Sequence, residues 1–243
     1  QDVGYEVTKG PLVPGKSVEI FRPEKNSIPL LSNLQNVNQL IHAQSFNTFD
    51  EEIEATALAI GGQIAEGLRP DDIVVVVLDD RNARTYLSRL AARLGRDGIG
   101  CNNIHEAFGV PDFHIDGRIT LTTVHKAKGN EGFAVHVVGA DAAFQYSTRT
   151  NRNKLFTAMT RAKGWLRVTG VGPAANRLVK EIEQAKANSP YLKFIYPSAA
   201  DMMKRDLGEK AALTRDQERV LDEMPEEALE EYLHRRAKPR KAT

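Results

Sequence analysis

IVVVVLDDRNARTYLSRLAARL, residues 73–94, joins two patterns that need different backbones. Ile73 to Leu78 is an unbroken apolar run, short and rich in the β-branched side chains that pack on a pleated surface. A run that is apolar at every position, rather than at every second one, suits a strand covered on both faces, as in a parallel sheet. From Arg81 the period changes. Tyr86, Leu87, Leu90 and Leu94 fall on one side of a helix predicted over Arg81 to Leu94, and Gly95 offers a stop. A buried strand followed at once by an amphipathic helix is the first half of a βαβ unit.

The same alternation continues on both sides. Thr48 with Glu51 reads as a capping box that opens a helix to about Gly67, with Ile53, Ala57, Ile60 and Ile64 on its apolar face. Downstream, strands are predicted over Arg118–Val124, Ala134–Gly139 and Trp165–Val171, with a helix over Asn151–Lys163. Strands alternating with helices predict an α/β fold, a three-layer domain with a mainly parallel sheet. After Gly172-Pro173 the character changes to amphipathic helices, over Ala174–Asn188, Ser198–Leu207 and Thr214–Lys238, with no further strand expected. The expected organisation is one α/β domain over 1–173 and a helical C-terminal extension over 174–243, ending in a basic tail.

Composition narrows the function classes. The chain has 243 residues, 41% hydrophobic and 27% charged, the balance of a globular domain. A net charge of +1 gives no bulk affinity for polyanions, so any nucleic-acid surface must be a local patch. A single cysteine, Cys101, excludes an internal disulfide framework and fits a reducing, cytoplasmic setting. No apolar stretch is long enough to span a membrane, so no membrane partner is expected. The six histidines pair with no cysteine or carboxylate at ligand spacing, and no metal site is expected within the chain. The start at Gln1-Asp2, without Met, reads as a piece of something longer.

GPLVPGKS, residues 10–17, fits the spacing of a phosphate-gripping P-loop. Its context does not. Pro11 and Pro14 lack the N–H groups that such a cradle needs, and Val18 to Phe21 alternates like a strand where a P-loop requires a helix. The stretch reads as a turn leading into a strand, with Lys16 in solvent.

Two stretches carry residues suited to chemistry. TLTTVHKAKGNEGFAVHVVG, residues 120–139, reads as strand, turn, strand, bringing Thr122, Thr123 and His125 to a sheet edge and Lys128 and Glu131 to the rim of a turn around Gly129. Ligands of open α/β sheets bind outside the carboxyl ends of the strands, where this turn is expected. An ordinary polar turn with surface charges is the alternative reading of the same residues. NRNKLFTAMTRAKGWLRVTG, residues 151–170, reads as helix then strand, with Leu155, Met159 and Ala162 inward and Thr157 and Arg161 sharing an exposed face. Arg161 is either a plain surface arginine or one directed at phosphate, whose geometry suits its fork of donors.

Together the two stretches resemble the superfamily 1 helicases, specifically the second RecA-like domain of UvrD/Rep-type enzymes. TTVHKAKGNE (122–131) is similar to their motif V and LFTAMTRAK (155–163) to their motif VI, and residues 74–94 resemble the strand–helix segment between motifs IV and V. The resemblance implies a RecA-like fold and a DNA helicase that uses ATP to move along single-stranded DNA. It implies that Arg161 contacts the γ-phosphate as the catalytic arginine, that Glu131 contacts the nucleotide ribose, and that Lys128 and Gly129 shape the same turn. Thr123 and His125 would lie on the single-strand track. The P-loop and the ligands of Mg²⁺ are then expected in a separate N-terminal RecA-like domain, so the isolated chain is expected to be inactive. Lys126 and Asn130 depart from the motif V pattern, and Asp79-Asp80 stand where relatives often place a Tyr-Arg pair. A RecD-like helicase of opposite polarity and a catalytically dead RecA-like module that binds nucleic acid or a partner are the alternatives.

Overall fold

The computed structural model of the chain describes residues 4–26, 37–105, 112–144 and 149–201. In chain order the elements are β1 (Glu6–Lys9), β2 (Ser17–Phe21), α1 (Val37–Leu40), β3 (Ile41–Phe46), α2 (Phe49–Ala65), β4 (Ile73–Val77), α3 (Ala83–Arg96), β5 (Cys101–Asn103) and β6 (Ile119–Thr123). They continue with β7 (Gly132–Val138), α4 (Asp141–Phe144), α5 (Arg149–Met159), β8 (Ala162–Val171), α6 (Gly172–Ala187) and β9 (Tyr191–Ile195). Two compact units result, one from Leu30–Ala187 and one from Gln1–Pro29 with Asn188–Thr243.

The larger unit is a six-stranded sheet in the order β3-β8-β7-β4-β6-β5, and every pairing in it is parallel. This is the expected α/β architecture. The apolar run is its central strand, and all five residues of β4 are at most 1% exposed. Val74 and Val76 pack with Leu155 and Ala158 of α5 and with Leu178 and Ile182 of α6. Ile73, Val75 and Val77 pack on the other face with Ile53, Ala57 and Ile60 of α2 and Leu87, Leu90 and Leu94 of α3. Both faces are therefore covered, which is why alternation is missing from the sequence. Burying each such side chain contributes about 1.5–3 kcal/mol relative to leaving it exposed.

Helix starts follow the expected chemistry. Thr48 caps α2 by accepting the Glu51 N–H at 3.2 Å, and the Glu51 carboxylate accepts from the Thr48 N–H in return. Helix α3 runs past Gly95 to Arg96. Two short strands extend the sheet beyond expectation. Both β3 and β5 lie at its edges, the first half-exposed and the second only three residues long.

The smaller unit is a three-stranded antiparallel sheet in the order β1-β2-β9. Residues 10–16 link β1 to β2 as a hairpin loop, so a strand and not a helix follows the glycine-lysine pair. The Gly15 N–H donates to the Tyr196 carbonyl at 3.0 Å, and the Lys16 carbonyl accepts from the Tyr196 N–H at 2.8 Å. The Lys16 N–H donates to the Val13 carbonyl at 3.1 Å, so the N–H groups of both residues are taken up within the chain. Strand β9 corrects the expectation of helices alone after Gly172: α6 is helical, but Tyr191–Ile195 pairs with β2 along its whole length. The helices expected over Ser198–Leu207 and Thr214–Lys238, with the basic tail, fall almost entirely outside the described residues, which end at Asp201.

Candidate functional site

Strands β6 and β7 run parallel on either side of β4. Residues 124–131 therefore cannot close a hairpin at one rim, because parallel strands need a crossover connection. They cross from the carboxyl end of β6 to the amino end of β7. This corrects the expected placement of the whole turn outside the carboxyl ends: His125 lies near that edge, whereas Glu131 arrives at the opposite one. The crossing is compact. The Ala127 N–H donates to the Thr123 carbonyl at 2.9 Å, and the Asn130 N–H to the Ala127 carbonyl at 3.0 Å. Gly129 has φ +87°, a left-handed conformation that costs a glycine little and other residues more. Lys126 reaches the Ile104 carbonyl beyond β5 at 2.8 Å, which ties the crossing to the sheet. Thr123 is buried at the end of β6, while His125, Lys128 and Glu131 are exposed.

At the amino edge Arg161 stands between α5 and β8. Its carbonyl accepts the Gly132 N–H at 3.0 Å, so the start of β7 and the start of β8 are joined through it. Its guanidinium folds back rather than continuing the helix face. Nε donates to the Thr157 carbonyl at 3.0 Å, Nη2 to Thr160 Oγ1 at 3.3 Å and Nη1 to the Asn130 carbonyl at 3.5 Å. The structure thus brings Arg161 against the crossing's last turn, beside Glu131. All three acceptors are neutral. Among the described residues no carboxylate lies within ion-pair distance of Arg161, since Glu131 pairs instead with Lys163 at 3.7 Å. The arginine is oriented, half-buried and electrostatically uncompensated.

At the carboxyl edge the charges are met. Asp79 accepts from the N–H groups of Arg81 and Asn82 and from the Asn82 side chain, closing the turn after β4. The Asp80 carboxylate lies 2.5 Å from Lys154 Nζ and 3.6 Å from His125 Nε2. Asp141 accepts the Val171 N–H at 2.9 Å.

Sequence reasoning missed a buried carboxylate here. Glu52 is fully buried and accepts three hydrogen bonds, from the Tyr86 hydroxyl at 2.8 Å, Thr169 Oγ1 at 2.7 Å and the Gly139 N–H at 3.0 Å. It ties α2 and α3 to the ends of β7 and β8. Burial pushes its carboxyl above the ordinary glutamate range, and the three hydrogen bonds only partly oppose that. The same burial, with Glu52 beside it, pushes the Tyr86 phenol up. A signal was present, because Glu52, Thr56 and Ile60 lie at four-residue spacing next to the recognised apolar stripe. Of the histidines, His136 belongs to the core. It lies 2.8 Å from the Gln63 side-chain oxygen and is pushed down to about 3 by burial, then by Arg167, which keeps it neutral.

Comparison with known proteins finds a family match in one segment. Residues 118–169 match the family model described as the UvrD-like helicase C-terminal domain. No curated protein matches the chain. A solved structure, the C-terminal domain of a possible DNA helicase from Lactobacillus plantarum WCFS1, is 20% identical over 61% of this chain and 84% of its own, with a TM-score of 0.45. Another, the Arterivirus nonstructural protein 10 helicase in complex with DNA, is 12% identical over 54% of this chain and 28% of its own, with a TM-score of 0.35. The matched segment runs from the start of β6 through the crossing, α5 and Arg161 into β8, and over it this chain is similar to the UvrD-like helicase C-terminal domain.

Proposed function

We propose that the chain is the second RecA-like half of an ATP-dependent DNA helicase or translocase, working in the cytoplasm against an N-terminal RecA-like domain of the same protein. The observation that carries this reading is the setting of Arg161. An oriented guanidinium without a carboxylate partner, at a sheet edge inside the matched segment, suits an external polyanion. Held by Thr157 and Asn130, Arg161 keeps a fixed fork of donors aimed at charge that develops on a transferring phosphoryl group. Glu131 is assigned to the nucleotide ribose, with Lys128 and Gly129 shaping the backbone beside it.

ATP bound between the two halves would supply the phosphoryl group whose transfer drives movement. Mg²⁺ is assigned to ligands of the other domain, and among the described residues no group of three or more His, Cys, Asp or Glu could hold a metal ion. Thr123 and His125 are assigned to the backbone of single-stranded DNA. Among the described residues no helix is long and apolar enough to cross a membrane. In the full-length protein Arg161→Ala is expected to lower DNA-stimulated ATP turnover by about a thousandfold while DNA affinity stays near wild type. Turnover within a few-fold of wild type would overturn the assignment.

A further inference from the structure

The motif-like residues leave Asp80 and Lys154 unexplained, and these two meet at the carboxyl edge beside His125. One oxygen, Asp80 Oδ2, faces both side chains, at 2.5 Å from Lys154 Nζ and 3.6 Å from His125 Nε2. Three separate pieces of chain contribute: the turn after β4, the crossing after β6, and α5. The Lys154 side chain is only 25% exposed, its stem covered and its ammonium bonded to Asp80. Asp80 is its ion partner, and among the described residues no other carboxylate lies within ion-pair distance of Lys154 or His125. Asp79 is occupied by the turn it closes and does not compete.

We infer that Lys154 and His125 form a phosphate-contacting pair for single-stranded nucleic acid, and that Asp80 is a built-in competitor held where a backbone phosphate oxygen would sit. The inference rests on the nucleic-acid reading above and extends it to a residue that reading did not include. An anionic oxygen bonded to an ammonium, with an imidazole nitrogen beside it, is an arrangement a phosphodiester oxygen would also take. Asp80 is well suited to leave. Among the described residues its carboxylate has no other hydrogen-bond partner, and the aspartate stands at the surface, where rotation returns it to water. The strand must therefore displace an internal anion before it gains Lys154. That weakens binding, and it favours a ligand presenting several phosphates in register over a free anion.

The test is a double-mutant cycle in the full-length protein, read as affinity for a fluorescent single-stranded oligonucleotide at several salt concentrations. Asp80→Asn removes the competing charge with little change of shape. It should tighten binding about fivefold, the scale of one surface ion pair. It should also steepen the salt dependence by about one unit in slope, since Lys154 becomes free to release a counterion on binding. Both gains should vanish when Asp80→Asn is made in a Lys154→Gln background. An equal gain in that background would show a general charge effect and overturn the inference, while weaker binding by His125→Ala would leave the nucleic-acid reading standing. Competition by inorganic phosphate well below millimolar concentration would instead mark a free-anion site and overturn it too. If no variant binds the oligonucleotide, the inference falls together with the reading beneath it.

Discussion

The two edges of one parallel sheet use charge in opposite ways. At the amino edge Arg161 is held by the Thr157 and Asn130 carbonyls and the Thr160 hydroxyl, all neutral. At the carboxyl edge the Asp80 carboxylate is met by the Lys154 ammonium, a partner of opposite charge. A partner of opposite charge compensates the charge it meets. Partners that only orient it leave its field available to a ligand. Residues 124–131 join the two edges, so the contrast lies along a single short piece of backbone.

The largest effect that could break this contrast concerns the shape of the amino-edge cation. Arg161→Lys keeps the charge but loses the fork, and a lysine cannot hold the Thr157 and Asn130 carbonyls while presenting a second face outward. ATP turnover of the full-length protein is expected to fall about a thousandfold, nearly as far as with alanine. Retention within tenfold would mean that a point charge suffices and that the orienting carbonyls are incidental.

The carboxyl edge predicts a loss of stability instead. Glu52→Ala leaves the Gly139 N–H, the Tyr86 hydroxyl and Thr169 Oγ1 without their shared acceptor, at a cost of about 2–4 kcal/mol. The midpoint and slope of urea unfolding measure it. Glu52→Gln preserves shape and most of the bonding and should cost less. It should also remove a pH dependence. Because the folded state raises this carboxyl, the native protein binds its proton more tightly than the unfolded chain does. Stability from this group therefore falls as pH rises from the ordinary glutamate range through the raised folded value, and the glutamine variant should lack that fall. An unchanged pH profile would show that Glu52 does not titrate as its burial requires.

A smaller effect sharpens the amino edge. A Cβ on Gly132 would stand 2.7 Å from Val74 Cγ2 and 3.2 Å from the Asp72 carbonyl. Gly132→Ala should force the start of β7 away from β4, costing about 1–3 kcal/mol and disturbing the carbonyl of Arg161 to which Gly132 is bonded. Wild-type stability by the same unfolding measurement would show that this edge yields more easily than its packing implies.

How much of this was legible depended on how completely each segment was buried. The residues of β4 announced themselves because both neighbouring layers are apolar, and the start of α2 did so through Thr48 and Glu51. The edge strand β3 hides because its burial is partial and its pattern, IHAQSF, is mixed. Strand β9 hides because most of it is exposed and its partner β2 lies far away in sequence. Arg161 was singled out from its motif, but the neutral acceptors around its guanidinium could not be read there. The crossing was misplaced for a topological reason: local residues do not reveal that β4 lies between β6 and β7, and a hairpin would have used the same glycine. Glu52 was passed over because an acidic residue in a helix's first turn is expected to serve the helix dipole in solvent.

The central claim is that the crossing links a nucleotide edge to a nucleic-acid edge. It is tested most directly by titrating ATP and single-stranded DNA separately against full-length Glu131→Ala and His125→Ala. Glu131→Ala should weaken ATP affinity several-fold with DNA affinity nearly unchanged, about the loss of one or two hydrogen bonds. His125→Ala should mainly lower the stimulation of ATP turnover by DNA, as expected if the two sites are coupled through the crossing. Wild-type values for both ligands in both variants would contradict the account and reduce residues 124–131 to a connection between two strands.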